Sequence, residues 1–285
     1  MAIILITGCG SGFGREMAEE FARRGDEVYA AVRALPAATQ ATAGAAHLLE
    51  LDVTSGSSID AAVGAVLAVA GRIDVLINNA GVHRLGAFED MPERDLREMM
   101  EINFFGPVRL TRAVLPIMRS QRSGHVVMIS SVGALVSRAA DAYYCASKSA
   151  LEAAAEALRY EVEPFGIRVS AVEPGAFRTH VAEKGAARLY DLTRSPYEGL
   201  LGFRSRQVRE ACRNGDDPAV VARAVADLVH DGSTLASHAL RQPVGAQAQA
   251  MVETLRGLDP AQRDAMIRAR SRIDWWTRGD EPPSD

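Results

Sequence analysis

Tyr144 and Lys148 stand four residues apart in the run Tyr144-Cys145-Ala146-Ser147-Lys148. On a helix that spacing projects both side chains from one face, about one turn apart. A phenol with a pKa of about 10 is a poor base at neutral pH, and a neighbouring ammonium stabilises its phenolate. Such a pair can pass a proton to or from a substrate oxygen. Tyr143 competes for the role, but five residues before Lys148 it points elsewhere on the helix. The lysine is itself informative: of 32 basic residues only Lys148 and Lys184 are Lys, and the other 30 are Arg. At position 148 the chain keeps a compact ammonium, which fits beside hydroxyl groups better than a broad guanidinium does.

A second cluster lies at the other end of the sequence, in Thr7-Gly8-Cys9-Gly10-Ser11-Gly12-Phe13-Gly14. Glycines let a backbone turn sharply and approach a pyrophosphate, whose charge free amides and a helix N-terminus can hold. Glycine-rich segments are also ordinary turns; the position of this one, between an apolar strand and a helix, favours a dinucleotide site. Val32 and Arg33 lie 18 and 19 residues beyond Gly14, where a carboxylate would bind the ribose hydroxyls of NAD. No acid stands there. Arg33 can pair bidentately with a 2′-phosphate, so NADP(H) is favoured and NAD(H) is the alternative; in an Arg-rich chain, a surface Arg is the competing reading.

The elements that must position these residues follow from the apolar pattern. Ala2 to Thr7 reads as a strand buried on both faces, and Phe13 to Arg24 as a helix stopped by Gly25. Strands at 27–32, 47–51 and 73–77 alternate with a helix at 57–70. Helical patterns follow at 93–100, 102–119 and 142–163, with strands at 125–129 and 167–172 and a further helix at 218–229. This alternation predicts an α/β fold with an open parallel sheet and helices on both faces. Residues 180–215 show no clean periodicity and read as an irregular insert, of which 183–213 would form a lid. Leu189, Tyr190, Leu192, Tyr197, Leu200, Leu201 and Phe203 would line it, or pack on the scaffold instead. The expected layout is one domain over 1–278 and a disordered polar tail at 279–285.

Composition narrows the function. A formal net charge of −4 without a basic block excludes the electrostatic footprint of a nucleic-acid or membrane-surface binder. Three scattered cysteines, Cys9, Cys145 and Cys212, form neither a disulfide framework nor a metal site, and the six histidines lack ligand spacing. No metal site is expected. Without a leader pattern or a membrane-length apolar run, the expected location is cytoplasmic.

Thr-Gly-x-x-x-Gly-x-Gly at residues 7–14, Asn-Asn-Ala-Gly at 78–81 and Tyr-x-x-x-Lys at 144–148, in that order, resemble the short-chain dehydrogenase/reductase family, in particular its hydroxysteroid and retinol dehydrogenase branch. The resemblance implies a single Rossmann-type sheet and a hydride exchanged between a nicotinamide and a carbonyl or secondary alcohol, on a bulky hydrophobic substrate. It makes Tyr144 the general acid/base, Ser131 the group steadying the substrate oxygen, Lys148 the partner of Tyr144 and of the nicotinamide ribose, and Asn103 the end of a proton relay. Cofactor contacts would come from Thr7, Gly8, Gly10, Ser11, Gly12, Phe13, Gly14, Arg33, Asp52, Val53, Asn79, Ala80, Gly81, Tyr144, Lys148, Pro174, Gly175 and Thr179. Asp52 would meet the adenine and Thr179 the carboxamide, with Asn78 near the adenosine ribose. Asp52 as a cap, Asn-Asn-Ala-Gly as a plain turn, and Pro174, Gly175 and Thr179 as a strand-ending turn are the structural alternatives.

The sequence departs from the family at Phe13, where a small aliphatic residue is usual and which would shape the phosphate pocket. Ser11 is not the basic residue of some NADP-preferring members. A homodimer or homotetramer is expected through Ala150, Leu151, Ala154, Ala155, Leu158 and Val162, unless that stripe faces the sheet. The rival readings are a lyase or dehalogenase, which would have lost the glycine pattern or the Lys, and a cofactor-sensing regulator without turnover, which would not need Ser131, Tyr144 and Lys148 together.

Overall fold

The structure is a computed structural model and describes residues 1–35, 47–179, 195–232, 235 and 237–283. Its centre is a sheet of seven parallel strands: β1 (Ile3–Thr7), β2 (Glu27–Val32), β3 (His47–Glu50), β4 (Val75–Asn78), β5 (Gly124–Ile129), β6 (Ile167–Pro174) and β7 (Arg241–Val244). Their spatial order is β3-β2-β1-β4-β5-β6-β7. The order reverses between β1 and β4, so the chain leaves a crevice above the carboxyl ends of those strands, where open α/β sheets bind ligands.

Apolar residues on both faces of each strand account for the layering. Leu5, Leu76, Val126 and Val169 face α2 (Gly56–Ala70), α4 (Gly106–Gln121) and α5 (Ala142–Val162). Ile4, Ile6, Ile77 and Val127 face α1 (Gly12–Arg23) and, in the second half, Ala219–His230. A fully buried Leu or Ile contributes about 2 kcal/mol relative to its exposed state. Leu151, Ala155 and Val162, half of the small-residue stripe assigned to subunit contact, are core residues under the sheet.

Four differences from the sequence reading have physical causes. Strand β4 begins at Val75 rather than Ile73, because the Gln121 side chain accepts from the Ile73 amide and donates to its carbonyl. The helix expected over 93–100 is present as α3 (Glu93–Met100), but the one expected over 102–119 opens with a π-helical turn, Glu101–Phe105, before α4. Pro107 has no N–H to give the Asn103 carbonyl and crowds it, which widens this turn. The irregular insert is in part regular, since Glu198–Arg213 is a 16-residue helix, α6, with Leu200, Leu201, Phe203 and Val208 buried. Beyond α7 (Ala219–His230) and β7, three helices had no sequence assignment: α8 (Ala246–Leu255), α9 (Pro260–Ser271) and α10 (Asp274–Arg278). Helix α9 had a legible start: Asp259 caps it, Pro260 follows, and Gln262 closes a capping box.

Leu189, Tyr190, Leu192 and Lys184 lie outside the described residues, as do Ser284 and Asp285 of the tail. Gly279–Pro283 carry no regular element. Among the described residues no helix is long and apolar enough to cross a membrane. Among the same residues no group of His, Cys, Asp and Glu could hold a metal ion.

Candidate active site

The glycine turn sits at the carboxyl end of β1. Gly8 has φ +73°, and a Cβ there would stand 2.9 Å from Ala80 Cα. A Cβ on Gly14 would stand 2.4 Å from Gly8 O, so the first turn of α1 packs directly on the loop. Gly10, by contrast, faces open space. Ser11 occupies the N-cap position of α1 with extended backbone and makes no side-chain cap, so its hydroxyl leaves the helix N-terminus uncovered. Open backbone at Gly10 and an uncapped helix N-terminus are the features a pyrophosphate needs.

Other residues expected here hold the crevice together. The Thr7 hydroxyl accepts from the amides of Asn79 (2.9 Å) and Ala80 (3.0 Å), tying the ends of β1 and β4. Asn79 Nδ2 donates to Thr7 O at 2.8 Å and Gly8 O at 3.3 Å. Asn78 is buried and donates to Thr111 Oγ1 at 3.0 Å, so its amide faces the core rather than an adenosine ribose. Phe13 is half-buried and packs edge-on against Phe177 at the rim of the core, centroids 5.2 Å apart. Asp52 Oδ1 accepts from the Thr54 amide and hydroxyl at 2.9 and 2.7 Å, while Ser55 caps α2. Val53 packs against Gly106, whose Cβ would stand 2.9 Å from Val53 Cβ. Arg33 is exposed just past β2. Pro174 ends β6, Gly175 packs on α8, and the Thr179 methyl lies 3.7 Å from a Cβ on Gly12.

The Tyr-Lys pair lies beyond the end of β5. Ser131 follows that strand, its hydroxyl accepts from Gly133 N at 3.0 Å, and it lies near enough to Tyr144 to favour the phenolate. A Cβ on Gly133 would stand 3.3 Å from Tyr144 Cε1, so this glycine lets the phenol lie close to the serine. Lys148 is buried; its ammonium donates to Ile129 O at 2.8 Å and stands 6.0 Å from the centroid of the Tyr144 ring. Asn103, in the π-helical turn, is fully buried: Oδ1 accepts from Val82 N (2.8 Å), and Nδ2 donates to Val82 O (2.9 Å) and Ser147 Oγ (3.0 Å). Ser147 Oγ donates to Tyr144 O at 2.7 Å. Asn103 and Lys148 meet across Gly81, whose Cβ would stand 3.4 Å from Asn103 Oδ1 and 3.7 Å from Lys148 Nζ. The four residues expected to be catalytic are thus brought together by one helix, one strand end and one widened turn.

The electrostatics correct one expectation. Burial pushes the Tyr144 phenol up to about 12; the Ser131 hydroxyl works against this and the Asp141 carboxylate adds to it. Burial also draws Lys148 down to about 8, partly opposed by Glu152. In the chain by itself Lys148 therefore does not bring Tyr144 toward neutrality. Its ammonium is turned to a backbone carbonyl, and burial is the largest influence on the phenol. With its phenol raised that far, Tyr144 keeps its proton at neutral pH.

Two further residues at the site carry no sequence signal: His83, next to the Tyr144 ring, and Asp141, which pairs with it. A scattered His and a loop Asp acquire meaning only through contacts 58 residues apart. The lining expected from α6 is corrected in part: Leu201 packs with Leu85, Ala87, Ala140 and Val208, and Phe203 packs edge-on against Trp275.

A switch-point crevice with a glycine turn on one side and a Ser-Tyr-Lys set on the other defines an oxidoreductase of the doubly wound class. A family model described as short chain dehydrogenase matches residues 2–188, and the chain belongs to the short-chain dehydrogenase/reductase family. It is 38% identical over 229 residues to the 3-ketodihydrosphingosine reductase of Bacteroides thetaiotaomicron, covering 80% of this chain and 83% of that one. To retinol dehydrogenase 8 of Homo sapiens it is 34% identical over 242 residues, with 79% and 77% covered. The crystal structure of a short-chain dehydrogenase from Streptomyces avermitilis superposes with a TM-score of 0.76 at 37% identity, over 98% of this chain and 97% of that one. The 3-ketoacyl-(acyl-carrier-protein) reductase of Brucella melitensis, solved with NADH, gives a TM-score of 0.73 at 26% identity, over 87% and 98%.

Proposed function

We propose that the chain is a nicotinamide-dependent reductase or dehydrogenase acting on the carbonyl or secondary alcohol of a bulky, hydrophobic substrate. The convergence of Ser131, Tyr144 and Lys148 at the end of β5, with Asn103 across Gly81, carries this reading. The residues present fit a dinucleotide: open backbone at Gly10, the uncapped start of α1 and the close packing of Gly8 and Gly14 suit a pyrophosphate. Arg33 favours NADP(H) over NAD(H), through pairing with a 2′-phosphate. When bound, the nicotinamide supplies or takes up the hydride.

The rest belongs to the chain. In reduction the Tyr144 hydroxyl donates its proton to the substrate oxygen while the Ser131 hydroxyl hydrogen-bonds the same oxygen. A phenol held protonated at neutral pH suits that direction. Lys148 holds positive charge beside the phenolate left behind, and the Asn103 side chain keeps the π-helical turn against Val82. In oxidation the same groups act in reverse. The substrates named for the two curated relatives are both lipidic, which supports a hydrophobic ketone or alcohol. A cytoplasmic homodimer or homotetramer belongs to the same proposal, with light scattering to check the mass.

The test is NADPH and NADH oxidation with a panel of hydrophobic ketones, repeated with Tyr144→Phe. Loss of general acid catalysis should lower kcat by about 100-fold or more. Undiminished turnover in Tyr144→Phe would overturn the assignment.

A further inference from the structure

Asp141 lies three residues before Tyr144, at the start of α5, with its side chain wholly buried. It makes no cap to its own helix. Its carboxylate instead gathers groups from three separate segments. Oδ1 accepts from His83 Nε2 at 2.7 Å, from the loop after β4. Oδ2 faces Arg138 at 3.2 Å, in the loop before α5, and accepts from Arg204 at 3.3 Å, on α6. A buried carboxylate survives only if paired, and His83 and Arg138 hold this one well below the usual carboxylate range against the cost of burial.

The imidazole is fixed in turn. With Nε2 donating to Asp141, the other ring nitrogen, Nδ1, is buried without a hydrogen-bond partner. The ring stands edge-on to Tyr144, centroids 4.6 Å apart and planes at 84°. Arg204 is as unusual on its helix as His83 is in its loop: only 5% of its side chain is exposed, and its Nε also donates to Ala139 O at 3.2 Å. A helix that only covered the site would have no need to bury a guanidinium.

We propose that Asp141 is a positioning residue that couples helix α6 to Tyr144, through Arg204 on one side and His83 on the other. Docking of α6 completes the cation set around the carboxylate. The carboxylate orients the imidazole, and the imidazole edge sets the tilt of the phenol. The coupling is electrostatic as well as steric. Tyr144 is faced by Asp141, Cys145 and Lys148 from α5, by Arg138 from the preceding loop, by Ser131 after β5 and by the His83 edge, with Arg204 behind Asp141. Of these, Asp141 favours the protonated phenol and Arg138 opposes it. Removing Arg204 leaves the carboxylate less compensated, so phenolate forms at higher pH.

The inference rests on Tyr144 as the general acid/base, and its test has one arm that does not need turnover. Tyr144 ionisation is read from phenolate absorbance, as the difference between each protein and the same protein carrying Tyr144→Phe. Arg204→Met, which keeps much of the volume and removes the charge, should move that titration to higher pH; Arg204→Lys should restore most of it. In the turnover arm, Arg204→Met and His83→Gln should each lower kcat by about tenfold or more, as small misplacements of a reacting group do, with KM and NADPH affinity little changed. His83→Gln keeps a donor for Asp141 and removes the ring edge, so it separates the aromatic contact from the hydrogen bond.

A folded Arg204→Met protein with an unmoved Tyr144 titration overturns the coupling, whether or not the protein turns over. So does a fall in kcat matched by an equal loss of cofactor affinity, the signature of a merely structural role. If Arg204→Met does not fold, His83→Gln decides: unchanged kcat overturns the proposal, and a kcat loss at constant KM supports it. Absence of turnover in the parent protein with every ketone would refute the proposed function, while the titration arm would still judge the coupling.

Discussion

At the scale of single residues, burial outweighs neighbouring charge at Tyr144, Lys148 and Glu173, whereas the cations around Asp141 outweigh its burial. Lys148 works in a slot 5% exposed, with its ammonium on Ile129 O, and a guanidinium is too broad for that position and holds its proton too tightly. Lys148→Arg should therefore abolish most turnover while Lys184→Arg remains near the parent rate, both read by initial velocities. Glu173 shows the same principle away from the site. It is 1% exposed at the end of β6, and both carboxylate oxygens lack a hydrogen-bond partner. Burial and the nearby Glu152 raise it to about 8 from an ordinary 4.5, with Arg241 Nε, 3.5 Å away, opposing the rise. Between those values the folded chain keeps a proton that the unfolded chain has lost, so stability falls as pH rises from about 4.5 to about 8. Melting curves of Glu173→Gln across this range should show a flatter pH dependence and a higher Tm than the parent at alkaline pH.

At the scale of elements, the two ends of the glycine turn separate packing from binding. A side chain at Gly14 meets Gly8 O at 2.4 Å, whereas one at Gly10 meets nothing within 4 Å. Gly14→Ala should lower Tm; Gly10→Ala should melt with the parent yet bind dinucleotide at least about tenfold more weakly, a loss of about 1.4 kcal/mol. Calorimetry with a cofactor titration checks both. The π-helical turn shows how a residue can be legible while its setting is not. Asn103 was named through the family resemblance, but its partners, Val82 and Ser147, come from 21 and 44 residues away. Helix α6 was missed for a related reason. Its buried side includes Arg204 and Ser205 beside Leu200, Leu201 and Phe203, so polar residues interrupt the apolar stripe that periodicity relies on.

At the scale of the whole molecule, the carboxyl-terminal helices hold α6 in place. Trp275 is 6% exposed, packs edge-on against Phe203 with centroids 5.5 Å apart, and lies beside Trp276. Trp275→Ala should cost about 3–5 kcal/mol. Amide exchange should quicken in α6 while β1, β4, β5 and β6 keep their protection. The sheet itself needed little more than sequence: near-continuous apolar strands separated by helical patterns can only pair in parallel and be covered on both faces, because each strand has two apolar sides to bury. The glycine turn and the Tyr144–Lys148 pair were legible for the same reason, since each is a local geometry written in adjacent residues. The tertiary structure alone decided the state of those groups. How far a phenol is desolvated, where an ammonium donates, and which loop His and which helix Arg meet one buried carboxylate depend on segments far apart in the chain, and no local pattern encodes such distances.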